Sequence, residues 1–471
     1  AALGSGMLSV TGNGQLDGSS ALQLANNIGL RAQLTLGGAQ NLTLNGLVVG
    51  NGGLIKNGVA NLTLNGANTY GGGTVLNAGS LTVGSNGALG SGNLNVAGNA
   101  QLDSSSAVQL ANSIGLAAQL TVAGSQNLSL GGAIRGTGSL VKNGSGTLTL
   151  TGTNSYNGTT TINAGSLIGN SNSLQGVILN NAALTFAQNS NGTFTGSLSG
   201  SGSLTKTGAG RLVLNGNQGI TGNTLVSAGT LVNNGTLASA NVQVASGASL
   251  GGNGTYTGTV SIADGAGLNA GSAGIPLSVG NLNLSSGSNL NFALGAPGSN
   301  AALVKVAGNL VLDGTLNVSD AGGFGIGVYQ LFSYGGSLTD NGLQYGALPG
   351  SLLLGQLSLQ TSVANQINLV VGDTGQLQFW NGSKTNPDGT ISGGDGTWGP
   401  DTNWTNASGS ASNGWGSQYA IFGGASGTVS VLGQQSFGGI QFVSDGYQLV
   451  AGGGGPLAPV NAADGSLATI R

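Results

Sequence analysis

One segment of this chain occurs three times, and it limits what the chain can fold into. It covers residues 53–81, recurs at 139–167 and returns more freely at 203–231. Each copy holds a Leu-x-Leu triplet, a corner rich in Gly, a Thr-containing segment and a closing Ala-Gly-Ser-Leu or Ala-Gly-Thr-Leu. A triplet places two apolar side chains on one face of a strand, because strand side chains alternate. One such unit cannot bury its apolar row alone, so the copies are expected to stack.

The repeat belongs to a longer duplicated module. Residues 1–86 align with 87–172 without a gap, and 53 of the 86 pairs are identical. Triplets at 8–10, 34–36, 42–44, 62–64 and 81–83 predict strands whose small polar residues face outward. The sequence lacks the sustained periodicity of long helices and predicts an all-β fold.

The third copy is shorter than the second. Lys56 and Lys142 are separated by 86 residues, but Lys142 and Lys206 by only 64. The difference of 22 residues is about one turn of a solenoid, so we predict that one whole coil has been lost. An 86-residue module would then hold about four coils.

Composition favours an ordered fold and excludes several classes of protein. Gly makes up 95 of 471 residues, yet 39% of residues are hydrophobic and only 4% are charged, whereas disordered chains combine low hydrophobicity with high charge. The net charge of −3 gives no bulk attraction to nucleic acid or anionic membranes. Cysteine is absent, which excludes disulfides and thiolate metal sites.

The residue composition of the chain changes twice after the third repeat, and we predict five modules. Triplets continue through residues 242–318 with bulkier aromatic residues and the first prolines, and a Trp-rich segment (residues 379–415) follows. The predicted modules are 1–86, its duplicate 87–172, a shortened module at 173–236, a closing solenoid stretch at 237–372 and a further module from 373 to 471.

The spacing of the second copy resembles the autotransporter-associated β-strand repeat of bacterial type V secretion passengers. The matching pattern is L-x-K-x-G-x-G-x-L-x-L-x-G-x-N-x-Y-x-G-x-T-x-[IV]-x-x-G-x-L. Its matches are Leu140, Lys142, Gly144, Gly146, Leu148, Leu150, Gly152, Asn154, Tyr156, Gly158, Thr160, Ile162, Gly165 and Leu167. Stretches from Val244 and Leu312 resemble the pectin-lyase-like tail of the same family.

The resemblance implies a right-handed parallel β-solenoid, or β-helix, forming an elongated rod with loop excursions in its C-terminal module. It also implies export to the bacterial cell surface or secretion, with a C-terminal membrane barrel that this sequence does not contain. The chain is therefore expected to be an internal passenger fragment.

Residue types that commonly carry catalysis are scarce. Histidine and cysteine are absent, which removes the commonest general base and thiol nucleophiles. Asp17 and Asp103 occupy the same position in two repeats, which favours a structural turn over an active site. Asp388, Asp395 and Asp401 lie in one 14-residue stretch of a Gly-rich loop and could bind calcium, although Asp-Gly is an ordinary turn pair. The sequence predicts no catalytic, cofactor or metal site.

Two further groups of residues have competing interpretations. Lys56, Lys142 and Lys206 are interpreted as solvated turn lysines, with ligand contact as the alternative. The four tryptophans are expected to pack a cap or loop layer, with a sugar-stacking platform as the alternative; they are Trp380, Trp398, Trp404 and Trp415.

These observations lead to three hypotheses about function. The first is a non-enzymatic adhesin or self-associating fibre, since a surface poor in charge offers little repulsion between copies and could build a biofilm matrix. The second is a pectin-lyase-like enzyme that cleaves polysaccharide, which would require clustered carboxylates. The third is a module that binds host or matrix glycans through an exposed row of tryptophans.

Overall fold

The computed structural model describes residues 4–272, 274–298, 301–350, 354–373, 375–416, 418–461 and 467–471. These residues form strands and turns, and the helical structure among them is one 3-10 turn at Leu354–Gln356. The all-β parallel solenoid predicted from the sequence is confirmed. The chain divides into an N-terminal unit, Ala1–Gln243, and a C-terminal unit, Val244–Arg471.

The N-terminal unit is a coil with three faces, and a strand returns to the same face about every 20 residues. Leu34, Leu54 and Thr74 lie opposite one another in successive coils, in parallel register. We number the faces in the order in which the chain visits them: Leu8–Val10 begins face 1, Gly14–Leu16 begins face 2 and Leu22–Leu24 begins face 3.

The strands of each face follow one another along the chain. Face 1 holds Leu8–Val10, Ile28–Leu30, Val48–Gly50, Val108–Leu110, Leu128–Leu130, Thr147–Leu150, Ser166–Gly169, Ala183–Ala187, Ser203–Thr207 and Thr224–Val226. Face 2 holds Gly14–Leu16, Leu34–Leu36, Leu54–Lys56, Thr74–Leu76, Leu94–Val96, Ile114–Leu116, Ile134–Gly136, Ser155–Tyr156, Gly192–Phe194, Arg211–Leu214 and Gly229–Asn233. Face 3 holds Leu22–Leu24, Leu42–Leu44, Asn61–Leu64, Ser80–Val83, Ala100–Ser104, Leu120–Val122, Leu140–Lys142, Thr160–Ile162, Val177–Asn180, Ser197–Gly200 and Gly219–Ile220. Thr236–Leu237 and Asn241–Val244 follow.

Where no strand is assigned, backbone hydrogen bonds continue the stack. On face 1, the amide of Thr69 donates to the carbonyl of Val48 at 2.9 Å, and that of Ser91 to the carbonyl of Tyr70 at 3.0 Å. On face 2, the amide of Asn154 donates to the carbonyl of Asn172 at 3.1 Å.

Successive repeats are rotated by one face. Lys56 lies on face 2, Lys142 on face 3 and Lys206 on face 1. The 86-residue module therefore spans four coils and one face, not a whole number of coils. The step from Lys142 to Lys206 spans three coils and one face, because Lys142, Ile162 and Asn180 stack in register and the next coil reaches face 3 at Ser197–Gly200. The prediction that one whole coil is missing from the third copy is confirmed.

The core of the N-terminal unit follows from the alternation in each triplet. The outer two residues of a triplet point inward and the middle one points outward, as in Leu54–Lys56 and Leu128–Leu130. Leu, Ile and Val from the three faces fill the interior; Leu54, Leu64 and Leu140 are fully buried. This burial on stacked coils is the main stabilising contribution of the repeat.

The C-terminal unit begins with longer strands. One set of parallel strands comprises Thr255–Ile262, Leu277–Leu284, Val304–Val306, Leu310–Leu312, Gly327–Tyr334 and Leu338–Asp340. A second set comprises Ala248–Gly251, Gly267–Asn269, Asn289–Gly295, Thr315–Gly322 and Gln344–Tyr345. Gln366–Val371 then pairs antiparallel with Gly327–Tyr334 and with Leu357–Gln360, which ends the parallel stacking on that sheet.

A further set of mainly parallel strands follows Gly372. Leu377–Trp380, Tyr419–Phe422, Gly439–Phe442 and Thr469–Ile470 stack in one sheet, with Trp404–Thr405 antiparallel at its edge. Gly396–Trp398, Thr428–Leu432 and Gln448–Gly453 form a second sheet, and Gln435–Phe437 pairs with Leu457–Pro459.

The predicted boundaries of the five modules stay predictions, since the structure divides the chain only once, after Gln243. Among the described residues, no helix is long and apolar enough to cross a membrane.

Candidate functional site

The most distinctive motif of the sequence lies inside the solenoid. In the second copy Leu140, Lys142, Asn154, Tyr156 and Thr160 are all buried. They occupy every second position on their strands and corners, which brings them all to the inward side. The polar residues of the repeat therefore serve the interior of the fold, and a candidate ligand site must be sought among the residues between them.

The three repeat lysines are buried, and the interpretation as solvated turn lysines is wrong. The exposed fractions of Lys56, Lys142 and Lys206 are 3%, 1% and 0%. The Lys206 ammonium donates to the carbonyls of Gly208 at 2.6 Å, Ala228 at 2.9 Å and Thr207 at 3.2 Å.

The other two lysines are bound in the same way. Lys142 donates to the carbonyls of Gly144 and of Ala164, the latter at 3.2 Å, and Lys56 donates to those of Gly58 and Ala78. Burial lowers the pKa of all three ammonium groups. Each lysine thus joins two consecutive coils at a corner, with its ammonium directed at backbone carbonyls.

A buried asparagine also bridges coils in each of the first two copies. The side-chain oxygen of Asn154 accepts the amide of Ile134 at 2.9 Å, and its nitrogen donates to the carbonyl of Ser173 at 2.7 Å. Asn68 makes the equivalent bonds to Val48 and Ala88 at 2.8 and 2.6 Å. Because one partner lies a coil before the Asn and the other a coil after it, the side chain ties three coils together.

Buried tyrosine and threonine hydroxyls pair beside these asparagines. Tyr70 and Thr74, like Tyr156 and Thr160, place their oxygens 2.6 Å apart. Burial raises the pKa of Tyr70 to about 12, and raises that of Tyr156 as well.

The third copy keeps this arrangement with different residues. Gln218 replaces the asparagine and accepts the amide of Leu198 at 2.8 Å, while Ile220 replaces the tyrosine. Thr224 finds its hydroxyl partner in Ser239 at 2.6 Å. The buried hydroxyl stays paired although the tyrosine is lost, as a buried polar group requires.

The outward side of the N-terminal unit carries short, uncharged polar side chains. On face 3, Thr43, Thr63 and Thr82 form a row in register. At the corners, asparagine amides bond from coil to coil: Asn65 to Asn45 at 2.8 Å, Asn77 to Asn57 at 2.5 Å and Asn163 to Asn143 at 2.8 Å.

An asparagine ladder also follows one sheet of the C-terminal unit. Asn291 donates to Asn269 at 3.0 Å, and Asn317 donates to Asn291 at 3.2 Å. Polar ladders therefore run along stacked strands in both units, and they lie on the exposed side.

The Trp-rich segment forms a buried core, as the packing interpretation predicts. Trp380, Trp398 and Trp404 are fully buried, and Trp415 packs against them. The rings of Trp398 and Trp404 meet edge to face with centroids 5.1 Å apart, a favourable aromatic geometry. The alternative of an exposed sugar-stacking row is wrong, because these three indoles present no face to solvent.

The aspartates singled out in the sequence hold local structure. Asp388 accepts hydrogen bonds from Lys384 at 2.7 Å and from Thr390, and these bonds lower its pKa to about 2. Asp395 accepts the amide of Thr428 at 2.6 Å. Within the described residues, no three side chains of the types that bind metals come together, Asp388, Asp395 and Asp401 included.

The two repeat-related aspartates lie on the surface of the N-terminal unit and on different faces. Asp17 follows the first strand of face 2 and accepts from Gln15 at 2.5 Å. Asp103 lies on face 3, where it accepts from Gln101 at 2.5 Å and from the amide of Ala123 at 3.0 Å. These bonds agree with a structural role, and the rotation of the repeats separates the two carboxylates.

A stacked parallel solenoid whose repeat motif faces inward defines a class of repeat proteins with sheet faces as their exposed surfaces. Residues 54–83, 140–168 and 204–238 match the passenger-associated-transport-repeat family. These three repeats and the parallel solenoid fit a β-helical autotransporter passenger.

A curated relative is similar to part of the chain. The adhesin BmaC autotransporter of Brucella suis biovar 1 (strain 1330) is 39% identical over 211 residues, which cover 40% of this chain. The match spans 6% of the length of that protein.

Proposed function

We propose that this chain is an adhesive, non-enzymatic segment of an autotransporter passenger that acts outside the bacterial cell. The observation that carries the proposal is the division of its polar groups. The polar residues of the repeat are buried and hydrogen-bonded inside the coils, while regular rows of Thr and Asn lie outside on the sheets. The name of the relative, an autotransporter adhesin, supports the same function.

The test is a binding assay with the purified chain coated on beads. Adhesion to host cells or to extracellular matrix, reduced when Thr43, Thr63 and Thr82 are all replaced by Glu, would support the proposal. A matched control places three Glu residues at exposed turn positions away from that row. Failure to adhere to every surface tried, or equal adhesion of both variants, would count against it.

The competing enzymatic function is tested separately. Incubation of the chain with a panel of pectins and other polysaccharides should release no new reducing ends. Cleavage of any one of them would replace the adhesive proposal with the enzymatic one.

We also propose that copies of the chain associate with one another. Only 4% of residues are charged, so approaching surfaces meet little electrostatic repulsion, and their amide and hydroxyl rows can hydrogen-bond to a like surface. Light scattering over a range of concentrations tests this, and a strict monomer at high concentration would overturn it. Host or matrix glycans are the second class of partner, and a glycan array on the same protein separates the two.

A further inference from the structure

The few charges of this chain are unevenly divided between its two units. Residues 1–243 contain six of the nine basic residues and two of the twelve acidic ones, which gives a formal charge of +4. Residues 244–471 contain three basic and ten acidic residues, which gives −7. A net charge of −3 for the whole chain conceals this separation.

The exposed positive charge of the N-terminal unit lies mainly on face 2. Arg135 is the outward residue of Ile134–Gly136, and Arg211 begins Arg211–Leu214 on the same face. Arg31 lies at the corner that leads from face 1 to face 2. All three are exposed, and within the described structure none forms an ion pair. Arg135 and Arg211 are four coils apart, which is about 19 Å at the usual strand spacing.

The C-terminal unit carries carboxylates along one of its corners. Asp264 and Asp313 follow strands of one sheet, and Asp340 ends a strand of the same sheet, within four consecutive coils. Asp264 and Asp340 are exposed, and Asp313 is half-buried. Asp264 accepts the amide of Gly287 at 2.8 Å, Asp313 that of Gly314 at 2.8 Å and Asp340 that of Gly342 at 2.9 Å. Asn341 also donates to the second carboxylate oxygen of Asp313 at 3.3 Å. These bonds hold the carboxylates in place and leave oxygen lone pairs for another donor.

We propose that face 2 of the N-terminal unit in one copy docks against this acidic corner of the C-terminal unit in a second copy. The inference rests on the proposed self-association and names the surfaces that direct it. Arginine suits the task because its planar guanidinium can bind a carboxylate with two parallel hydrogen bonds. Another copy of the chain carries such carboxylates and is present wherever the protein is.

The uncharged rows alone would allow copies to meet in any orientation. Paired arginines and aspartates would favour the contact of unlike units and penalise contacts between two acidic corners, since charge complementarity fixes orientation and register more than affinity. Association is therefore expected to weaken as salt rises, because the Debye length falls from about 10 Å at 0.1 M to about 3 Å at 1 M.

The first test compares two variants of equal net charge. Arg135→Gln with Arg211→Gln removes two positive charges from face 2, and Gln40→Glu with Gln109→Glu adds two negative charges at exposed positions off that face. In analytical ultracentrifugation of the full chain at low salt, we expect the arginine variant to associate about tenfold more weakly. The glutamate variant should associate as the unmodified chain does.

The second test exchanges the charges. Arg135→Asp with Arg211→Asp and Asp313→Arg with Asp340→Arg should each weaken association alone, and mixing the two variants should restore it. Far-ultraviolet circular dichroism of each variant checks that it folds. Asp313→Asn with Asp340→Asn keeps an acceptor for each turn bond and serves as the milder pair if the arginine substitutions unfold the corner.

These experiments distinguish the pairing of face 2 with the acidic corner from self-association itself. A chain that stays monomeric at every salt concentration would overturn both. Association that all the variants and added salt leave unchanged would overturn only the pairing of face 2 with the acidic corner. Loss of binding to sulfated dextran in the arginine variant, with self-association intact, would overturn it in favour of a polyanionic partner.

Discussion

At the scale of single residues, the buried lysine is the feature that best explains the repeat. Its stem lies in the interior beside leucines, and its ammonium donates to carbonyls of two consecutive coils at a corner. A buried charge is tolerated when it is fully hydrogen-bonded. The lysine thus supplies hydrogen-bond donors for these carbonyls.

We predict that Lys142→Ala destabilises the surrounding coils by about 2–4 kcal/mol, because it leaves a cavity and carbonyls without a donor. Native-state hydrogen exchange of the amides in and around Leu140–Lys142 would measure this local loss. The control is Lys305→Ala: Lys305 is the exposed middle residue of Val304–Val306, so its loss should change stability by less than about 0.5 kcal/mol. Equal protection in the two variants would show that the lysine is dispensable.

Tyr70 makes the stability of its coil dependent on alkaline pH. Burial raises its pKa from 10.0 to about 12, so the folded state holds the phenolic proton more tightly than the unfolded state. This contribution is complete below pH 10 and is lost as the pH rises to about 12, a change of roughly 2–3 kcal/mol.

A pH titration of unfolding tests this effect of Tyr70. Tyr70→Phe should flatten that part of the profile, while costing about 1 kcal/mol at neutral pH through the unpaired Thr74 hydroxyl. Phenolate absorbance followed together with unfolding would check the coupling. An unchanged profile would assign the alkaline transition to other groups.

The burial of these residues could have been predicted from the sequence. Lys142 stands two positions after Leu140, so strand alternation places both on the inward side. The same step of two continues through Asn154, Tyr156 and Thr160. Lysine usually prefers solvent, however, and the sequence does not reveal the carbonyls that accept hydrogen bonds from its ammonium.

At the scale of elements, corner glycines set how closely coils approach. Gly165 has a φ of +68°, and a Cβ there would lie 2.5 Å from the carbonyl oxygen of Gly146 and 2.7 Å from the Lys142 ammonium. Gly229 has the same environment beside Lys206, which explains the Ala-Gly of the repeat.

We predict that Gly165→Ala costs at least about 3 kcal/mol, because both the backbone conformation and the space reject a methyl group. Gly176→Ala is the matched control, since its φ is +62° but nothing lies within 4 Å of the added Cβ. It should cost only the conformational penalty, about 1–2 kcal/mol. Thermal denaturation of both variants would measure the difference, and equal costs would contradict the role of close approach.

Whole coils should be removable. Leu116 and Gly136 occupy the same position in adjacent coils, so deletion of residues 117–136 joins equivalent points of the solenoid. We expect this variant to fold with an unchanged circular dichroism spectrum per residue, because each coil contacts only its neighbours. A deletion of half that length, residues 117–126, would leave only Asn127 as the corner between Ile114–Leu116 and Leu128–Leu130 and should not fold stably. Unfolding of the first variant would contradict the equivalence of the coils.

The sequence predicted the strands and the lost coil, but not the rotation of the repeats. The offset of 86 residues is visible in the alignment. Whether it equals a whole number of coils depends on the number of residues in one coil. That length follows from the hydrogen-bonded register, as between Leu34 and Leu54. Asp17 and Asp103 therefore lie on different faces, which no repeat alignment reveals.

At the scale of the whole molecule, the tryptophans report on one unit only. All four lie between residues 380 and 415, within the C-terminal unit, while strands extend through both units. Solenoid coils are stabilised locally, so distant parts need not unfold together.

We predict that tryptophan fluorescence and far-ultraviolet circular dichroism give different denaturation curves for this chain. Fluorescence should follow the buried aromatic core, whereas circular dichroism averages over both units. Acrylamide should quench the native protein weakly, since three of the indoles are fully buried. Superimposable curves would indicate that the chain unfolds in one cooperative step.

The rotation of the repeats by one face has a consequence for how such a gene can change. Internal duplication usually must match the period of the encoded structure, or the new segment is inserted out of phase. Here the three faces accept the same strands, since Lys56, Lys142 and Lys206 each fit a different one. Recombination between repeats can thus lengthen or shorten the solenoid by steps that are not whole numbers of coils, and each event also changes the face on which later copies of the repeat lie.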